Sequence, residues 1–514
     1  MEQRVLWKDQ LENANRSLDG QVGESREPRI KQINRDQLQL RIVDVERLVG
    51  QDHPVRAIWE FTLRLDLGKY YDSVQALEGL AGRPALDPRA MISVWIYAYS
   101  KGISSAREIS RLCEYDPAYQ WLVGLEQINY HSLSDFRVKN KESLDDLFAQ
   151  ILGLLSAEGL ITLEQVMQDG TRIKASAGGN TFRREDKIRA HLEMARNQVR
   201  ELGRQGEDEQ ATQRELKARE RARGQMEARL ELALQELEKM KGSEVRGQSI
   251  KEPRVSMTDP QARVMKQSDG GFAPSYNVQI STDAAGGIIV GAHVSNSGND
   301  SGELTSGVAQ VQKNLGRVPS CVVADGIYST MDNIISMGKM GVDFIAPLTD
   351  KTNQRSAHMK RWGIDPAFWP DRFSYMQQDN SYRCPAGKIL KYKEKVIGKG
   401  KIVYNYIGSS TDCGVCIHKK QCCPKASLGR VIRRTEYTGY VASFIAKMQS
   451  EQAKELYKKR SEVAEFTNCW IKDKIGLRQF SLRGLIKVGI ETLWAAITYN
   501  IQQWIRLIWR PQFA

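Results

Sequence analysis

The stretch VVADGIYST, Val322–Thr330, decides how the rest of the chain is interpreted. Small and β-branched apolar residues lead into Asp325, and a glycine and a helix start follow, so the pattern predicts a strand that ends at the aspartate. The end of a strand, before a turn, is a common place for functional residues. Two further stretches carry acidic residues in comparable settings: VMQDGTRIKASA with Asp169, and the helix-like YKKRSEVAEFTNCWIK with Glu465. We therefore predict that Asp169, Asp325 and Glu465 converge on one metal site.

The elements around Asp325 predict an α/β fold with a mixed sheet. Strand patterns and helical patterns alternate in the order strand, strand, strand, helix, strand, helix, strand, which is the order of an RNase H-like sheet. The predicted elements are strands at Leu163–Met167, Tyr276–Ser281 and Gly287–Ser295, a helix over Ser301–Leu315, the strand ending at Asp325, a helix starting at Ser329 or Thr330, and a strand at Phe344–Leu348. In such a sheet the first and fourth strands are neighbours, so Asp169 and Asp325 meet while Glu465 approaches on a helix. A single aspartate at a strand end is more often a turn or cap residue, and only the joint placement of the three favours a metal site.

Length, composition and charge limit the class of protein. With 514 residues the chain is too long for one ordinary core, so two or three domains are expected. A net charge of +13 favours an anionic partner, foremost nucleic acid, although a basic protein whose charges only solvate its surface has the same composition. The polar start, Met1–Arg35, is unlike a leader, and the most hydrophobic region, Leu485–Ile508, contains charged residues, so no membrane partner is expected. We expect a cytoplasmic protein associated with the nucleoid.

Changes in composition divide the chain into seven segments. They are a polar arm (1–50), a helical DNA-binding domain (51–160), the first strand of the RNase H-like core (161–182), a charged helical hairpin (183–245), the rest of the core (246–350), an irregular Cys-containing insertion (351–435) and C-terminal helices (436–514). Short helices with exposed arginines and lysines in the second segment fit a helix-turn-helix-like region, and a plain helical bundle fits them as well. The hairpin has a break near Gly203–Asp208. Its role is either purely structural or functional, in oligomerisation or in DNA contact.

Cysteines in the 351–435 insertion form a second candidate metal site. Eight cysteines in a chain of this length do not indicate a disulfide framework. Their spacing in the insertion, with one C-x-x-C pair, is compatible with tetrahedral zinc in a structural role, and reduced structural cysteines are equally compatible. The candidate ligands are Cys384, Cys413, Cys416 and Cys422, with Cys423 and His418 close by, whereas Cys113, Cys321 and Cys469 are expected in the core.

Three carboxylates suit the chemistry of phosphoryl transfer between DNA strands. Two Mg²⁺ ions about 4 Å apart activate the attacking oxygen and stabilise the leaving oxygen. Magnesium takes oxygen ligands and keeps several waters, so three carboxylates from separate segments are a sufficient protein contribution.

Several of these stretches resemble one known family. The sequence is similar to the DDE transposases of bacterial insertion sequences, most of all to the family-1182 group, within the RNase H-like transposases. The similar stretches are DGTRIKASA, TDPQARVMKQSDGGFAPSYNVQISTD, VVADGIYST and, most specific of all, EVAEFTNCWIKDKIGLRQFSLRGLIKVGIETLWAAITYNIQQW. The Pro54–Arg137 region also resembles the helical domain that precedes the catalytic core in these enzymes.

The resemblance implies the roles of individual residues. Asp169 and Asp325 correspond to the family's two aspartates and Glu465 to its glutamate, with Glu462 as a rival third ligand one helical turn earlier. Tyr457, Arg460 and Lys472 correspond to residues that accompany the glutamate on its helix, but one extra residue separates Arg460 from Glu465. By charge, Arg460 and Lys472 would contact DNA phosphates, with Tyr457 stacking or hydrogen-bonding nearby, and ordinary helix-surface ion pairs are the alternative. Arg483 and Lys487 would extend the basic track.

The resemblance also implies an activity. The chain would be a Mg²⁺-dependent transposase that cuts DNA at the inverted terminal repeats of its element and joins the 3′ ends to target DNA, as a homodimer on DNA. A nuclease with the same metal site but no strand transfer is one alternative. A transposase-derived DNA-binding protein without catalysis is another, and the presence of all three carboxylates argues against it.

Overall fold

A mixed β-sheet lies at the centre of Val45–Ala514, which forms one compact unit apart from Met1–Asp44 in this computed structural model. The structure describes residue 36 and residues 42–76, 84–139, 141–204, 213–242, 252–348 and 352–513. The predicted polar arm (1–50) therefore lies largely outside the described residues.

The central sheet has the predicted order of elements. Its strands are β1 Gln165–Lys174, β4 Arg263–Lys266, β5 Phe272–Asp283, β6 Ile289–Ser295, β7 Cys321–Ala324 and β8 Asp343–Ile345. Between β1 and β4, two short strands, β2 Phe182–Arg183 and β3 Val255–Ser256, pair only with each other. β1 pairs antiparallel with β5 and parallel with β7, and β7 pairs parallel with β8. β6 and β4 share the far edge of β5. The first and fourth strands of the predicted order, β1 and β7, are thus neighbours.

Seven helices precede the sheet in the described part of the N-terminal region. They are α1 Pro54–Leu63, α2 Gly68–Asp72, α3 Pro88–Ser100, α4 Ala106–Tyr115, α5 Pro117–Val123, α6 Tyr130–Lys139 and α7 Lys141–Ala157. The predicted cap of α3 is present, because the Asp87 side chain accepts a hydrogen bond from the Arg89 N–H (2.8 Å). Two further helices, α8 Glu185–Arg204 and α9 Gln213–Gly242, pack through apolar residues that include Ile188 and Leu230. They form the charged helical region, and part of its predicted break lies outside the described residues.

Two helices connect the strands that follow. α10 Leu304–Leu315 links β6 to β7, and α11 Met331–Lys339 links β7 to β8. Thr330 is the cap of α11, since its side chain accepts a hydrogen bond from the Asn333 N–H.

The sequence predicts an irregular 351–435 segment. This prediction is wrong, because the segment contains a second sheet. After α12 Thr352–Arg361, five antiparallel strands follow in chain order, interrupted by the short helices α13 Ser410–Gly414 and α14 Lys419–Cys422. The strands are β9 Ser374–Met376, β10 Ser381–Arg383, β11 Ile389–Gly398, β12 Lys401–Gly408 and β13 Val431–Tyr437. The residues of β11 after Leu390 are exposed, so the strand lacks the buried face on which a sequence pattern depends.

The chain returns to the central sheet in a series of helices. They are α15 Gly439–Met448, α16 Glu451–Arg460, a π-helical turn at Ser461–Glu465, α17 Phe466–Asp473 and α18 Leu485–Trp504, which runs into a second π-helical turn at Ile505–Trp509. Within the described residues, none of the helices is long and apolar enough to cross a membrane.

The helix α18 joins the N-terminal helices and the sheet in one hydrophobic core. Its Trp494 is 1% exposed and lies with its ring centroid 6.4 Å from that of Trp95 in α3. Trp504, at its end, packs edge-on against Phe61 of α1 at 4.9 Å. Each such aromatic side chain contributes about 1.5–3 kcal/mol by burial. The N-terminal helices therefore share a hydrophobic core with α18 and the central sheet.

Candidate active site

Asp169 and Asp325 lie side by side on neighbouring parallel strands. The pairing of β1 with β7 ends at Gln168 and Ala324, and the two aspartates are the next residue on each strand. Asp325 keeps an extended backbone (φ −67°, ψ 158°), so each aspartate lies one residue beyond the last paired residues of the two strands. Asp169 was expected after the end of its strand but lies inside β1, since β1 continues to Lys174 against β5. The strand that ends here is β7, so from Asp169 onwards β1 is paired with β5 on one edge and has no β7 partner on the other.

Both aspartates point to the face of the sheet that α16 and the π-helical turn cover. Side chains alternate along a strand, and Met167 and Val323, two residues earlier on each strand, pack against Ala464 in one apolar cluster. The other face is filled by a buried polar network. A Cβ atom on Gly170 would lie 2.3 Å from Nε2 of Gln279 and 2.6 Å from Oδ1 of Asp300, so only glycine fits after Asp169.

Two side chains from the C-terminal helices hold the Asp169 carboxylate. Arg460 donates from Nη2 to Oδ1 at 2.9 Å, and Asn468 donates from Nδ2 to Oδ2 at 2.8 Å. The side chains of Arg460 and Asp169 are 12% and 20% exposed, so this ion pair is largely shielded from water. The hydrogen bond fixes the orientation of the Asn468 amide, because the reverse orientation would set its oxygen against a carboxylate.

The π-helical turn explains how residues eight apart reach the same aspartate. Along an uninterrupted α-helix, eight residues turn through about 800° and leave the second side chain about 80° from the first. A π-helical turn takes up one extra residue, so Arg460 and Asn468 behave as if seven residues apart and differ by only about 20°. The extra residue between Arg460 and Glu465 lies in this turn. By the same count Glu465 lies about 40° from Arg460 instead of about 140°.

Burial disfavours the charged form of both Asp169 and Arg460, but the pKa of each group responds differently. Burial raises the pKa of the Asp169 carboxyl, and the opposing attraction of Arg460 is weaker. For Arg460, burial is outweighed by the attraction of Asp169 and Asp325, which raises the pKa of its guanidinium. Arg460 is therefore charged, and its charge acts on both aspartates.

Glu465 and its rival Glu462 differ in their surroundings. Both are exposed. Glu462 lines a cleft with the turn 284–287 and with Arg506, away from the two aspartates. Within the part of the chain that the structure describes, no partner is recorded for the Glu465 carboxylate, and no three His, Cys, Asp or Glu side chains form a group that could hold a metal ion. The structure thus brings Asp169 and Asp325 together without Glu465, and the convergence of all three stays a prediction.

Tyr457 and Lys472, the other two helix residues that the sequence analysis proposes as DNA contacts, lie near the same aspartates. Tyr457 packs in the cluster beneath the sheet face, and Lys472 is partly buried. Burial and the charge of Arg478 lower the pKa of Lys472, and Asp169 opposes them. The surface ion pairs considered for Arg460 are not formed, since its partner is Asp169. Arg483 lies elsewhere and donates to the Ser176 backbone oxygen at 3.0 Å.

The cysteines of the second sheet surround one small cavity. It has a volume of about 20 Å³, roughly that of one water-sized occupant. Its lining includes the predicted ligands and both neighbours: Cys384, Cys413, Cys416, Cys422, Cys423 and His418. No three of these donors already form a metal-binding group, so zinc stays a prediction. Of the cysteines expected in the core, Cys113 and Cys321 are buried, but Cys469 is exposed because it lies on the outer side of α17.

The zinc prediction is tested by metal content. We expect purified protein to carry one zinc per chain and the Cys413→Ser, Cys416→Ser double variant to lose it, because two of the thiols around the cavity would be removed. Elemental analysis by mass spectrometry gives the stoichiometry, and Cys469→Ser, outside the cavity, is the matched control. Metal-free wild-type protein, or equal zinc in all variants, would contradict the prediction.

Asn468 is the site residue that sequence reasoning missed. Its Oδ1 and the Nε of Arg460 are buried and have no hydrogen-bond partner among the described residues. An asparagine on a helix carries no distinctive sequence signal. Only the contact with Asp169, which depends on the π-helical turn, identifies it.

Two family models match the chain. The model described as "Transposase domain (DUF772)" matches residues 43–139, which contain α1–α6, and the model described as "Transposase DDE domain" matches residues 383–505, from β10 to the end of α18. No curated protein matches the chain. The second match includes Glu465, Arg460 and Asn468, and the strands that carry Asp169 and Asp325 lie between the two matched regions. With a transposase model matched at each end and the paired aspartates between them, the chain belongs to the DDE transposases of insertion sequences.

Proposed function

We propose that this transposase cuts DNA at the inverted terminal repeats of its own element and joins the freed 3′ hydroxyls to target DNA, using Mg²⁺ held by Asp169, Asp325 and Glu465. The observation that carries the proposal is the position of Asp169 and Asp325 at the same level of two parallel strands, on the face that the Glu465 helix covers.

The residues around Asp169 fit a magnesium ion. Two carboxylates provide the hard oxygen ligands that Mg²⁺ prefers. The orphaned oxygen of Asn468 lies in the same site, and leaving such an atom unpaired costs about 1–3 kcal/mol. A ligand that supplies hydration or coordination there would recover this free energy. Glu465, which by residue count lies about 40° from Arg460 around the helix, would complete the ligand set.

The chain's own groups provide positioning and charge. Bound Mg²⁺ supplies activation of the attacking oxygen and stabilisation of the leaving oxygen. Asp169 and Asp325 would hold the ions, with the Asn468 amide fixing the direction of one carboxylate. Arg460 and Lys472 are cations beside the aspartates and would hold the DNA phosphates near the cut bond, and Tyr457 would contact the adjoining nucleotide.

The two ends of an element have to be processed together, which requires a pair of active sites. We therefore infer that the protein acts as a homodimer on DNA, with the N-terminal helices recognising the terminal repeat. The last turn of α6, which contains the basic residues Arg137 and Lys139, belongs to this region. Arg137 is buried, however, and donates to the Ser104 backbone oxygen, so it serves the fold.

The test is a supercoiled plasmid that carries both element ends, incubated with protein and Mg²⁺. Excision of the element with insertion into a second plasmid would support the full proposal. Cleavage without joined products would favour the nuclease alternative. Binding to the ends without any cleavage would favour the DNA-binding alternative and overturn the catalytic proposal.

A further inference from the structure

The segment that forms the second sheet accounts for most of the net positive charge of the chain. Residues 352–437 contain seventeen lysines and arginines and six aspartates and glutamates, against a net charge of +13 for all 514 residues. A positive charge this concentrated is typical of a surface that meets phosphates. A zinc site would not account for it, because zinc needs only the thiols on one side of the sheet.

One face of the sheet carries a set of tyrosines together with two of these cations, Lys395 and Arg434, of which Arg434 pairs with Glu436. The tyrosine face, as we name it, is formed by side chains that follow one another across the strands with ring centroids 4.9–6.5 Å apart. Its members are Tyr375, Tyr382, Tyr392, Tyr404 and Tyr406. The guanidinium of Arg434 lies over Tyr404 and Tyr375, 4.5 and 4.7 Å from the ring centroids.

Only one end of the tyrosine face is covered. Tyr406 is fully buried against the cysteine-bearing helices, in the same cluster as Phe368. Tyr392 and Tyr375, further along, are 42% and 36% exposed. Lys395, which pairs across the strands with Tyr404 and so lies on the same face, is exposed and has no ion pair among the described residues. The exposed end is therefore an aromatic surface with a cation beside it.

The sheet is fixed next to the active-site edge of the central sheet. At the tip of the β11–β12 hairpin, Lys399 forms an ion pair with Asp332 (2.8 Å), which lies on the helix that follows Asp325. Gly400 lies so close to Val441 of α15 that a Cβ atom would come within 2.5 Å of its side chain. The hairpin therefore contacts α11, the helix that follows Asp325 in the chain.

We propose that the tyrosine face binds DNA that has unpaired bases, in the strand next to the cut. The exposed rings would stack on bases, and Lys395 and its neighbouring cations would bind the phosphates. Stacking on aromatic side chains tolerates any base sequence, which suits DNA that lies outside a recognised repeat. The choice of DNA over a second copy of the chain follows from the charge of the whole segment, since two copies of a segment with seventeen cations and six anions repel each other. This inference adds a binding surface to the proposed function and rests on it only for the position of the DNA.

The test is fluorescence anisotropy with the full chain, a labelled single-stranded oligonucleotide and the matching duplex, without added Mg²⁺. The variants are Tyr392→Ser and Lys395→Ala. Each has a matched control on the opposite face of the same sheet: Tyr437→Ser, where the tyrosine is 41% exposed, and Lys391→Ala. We expect Tyr392→Ser to weaken single-strand binding about tenfold and duplex binding less, with both controls within about twofold of wild type.

Equal losses in the variants and their controls would overturn the proposal, because the charge would then act without the tyrosines. Unchanged binding in Tyr392→Ser and Lys395→Ala would overturn it as well. A change in sedimentation coefficient without a change in DNA binding would assign the face to a second copy. Binding in this assay does not require cleavage, so the inference can stand or fail separately from the catalytic proposal.

Discussion

Replacing Asp325 by asparagine is expected to lower the rate of DNA cleavage about a thousandfold, because the loss of a metal-binding charge removes several kcal/mol of transition-state stabilisation. Asparagine keeps the size of the side chain. Asp325 is exposed and its side chain accepts a hydrogen bond from the Gly326 N–H, a contact that an amide oxygen preserves. The thermal midpoint should therefore change little. The measurement is single-turnover cleavage of a labelled terminal repeat with Mg²⁺, with the thermal midpoint of each variant recorded beside it.

Glu465→Gln and Glu462→Gln complete this experiment as a matched pair. They lie on the same helix, both are exposed, and each exchange removes one charge. We expect Glu465→Gln to reduce cleavage as strongly as Asp325→Asn and Glu462→Gln to cut at close to the wild-type rate. The reverse pattern would make Glu462 the third ligand, despite its place in the cleft beside Arg506. Cleavage by Asp325→Asn at a tenth of the wild-type rate or more would rule out the carboxylate site.

Replacing Arg460 by alanine is expected to make stability depend on divalent metal. The guanidinium and a metal ion are both cations for the same carboxylate, so they compete for Asp169. Without Arg460 a largely buried carboxylate is left unpaired, which costs about 3 kcal/mol of unfolding free energy. Mn²⁺ should restore that stability in the variant far more than it stabilises the wild type, and it should bind the variant more tightly. Thermal denaturation with and without Mn²⁺, together with a Mn²⁺ titration followed by electron paramagnetic resonance, measures both effects.

The matched control is Lys458→Ala, on the same helix, where the lysine is exposed and pairs with Glu455. It should change neither stability nor Mn²⁺ affinity. Cleavage should fall in Arg460→Ala even though metal binding improves, since the charge that would hold the phosphate is gone. A loss of stability that Mn²⁺ does not reverse would mean that Arg460 supports the fold only.

The order of strands in the central sheet was predictable because its buried strands keep simple patterns. β7 is fully buried, and its apolar run leads directly to the aspartate. The end of β1 was not predictable, because the strand continues past Asp169 through Gly170, and glycine is depleted in strands. The residues from Gly170 to Lys174 remain in the strand because β5 pairs with each of them.

The second sheet was missed for the opposite reason. β11 reads ILKYKEKVIG, and after Leu390 its side chains on both faces are exposed. A hydrophobic pattern reports a buried face, and this strand has almost none. Lys395, one of the lysines that conceal the strand from sequence reasoning, lies on the tyrosine face.

The arrangement around Asp169 depends on the helix geometry. Sequence spacing alone left the role of Arg460 unresolved, because the count of residues to Glu465 did not fit a regular helix. The π-helical turn removes the discrepancy and brings Asn468 into contact with the carboxylate. Such a turn has no reliable sequence signature, so neither contact could be derived from the residues alone.

The position of α18 has a consequence for biosynthesis. This helix packs into the core of α1 and α3, which leave the ribosome more than three hundred residues earlier. Until it emerges, Phe61 and Trp95 lack their partners, and the helices made first cannot complete their packing. A chain interrupted before residue 485 therefore exposes apolar surface where the finished protein has a core, and exposed apolar surface of this kind favours aggregation.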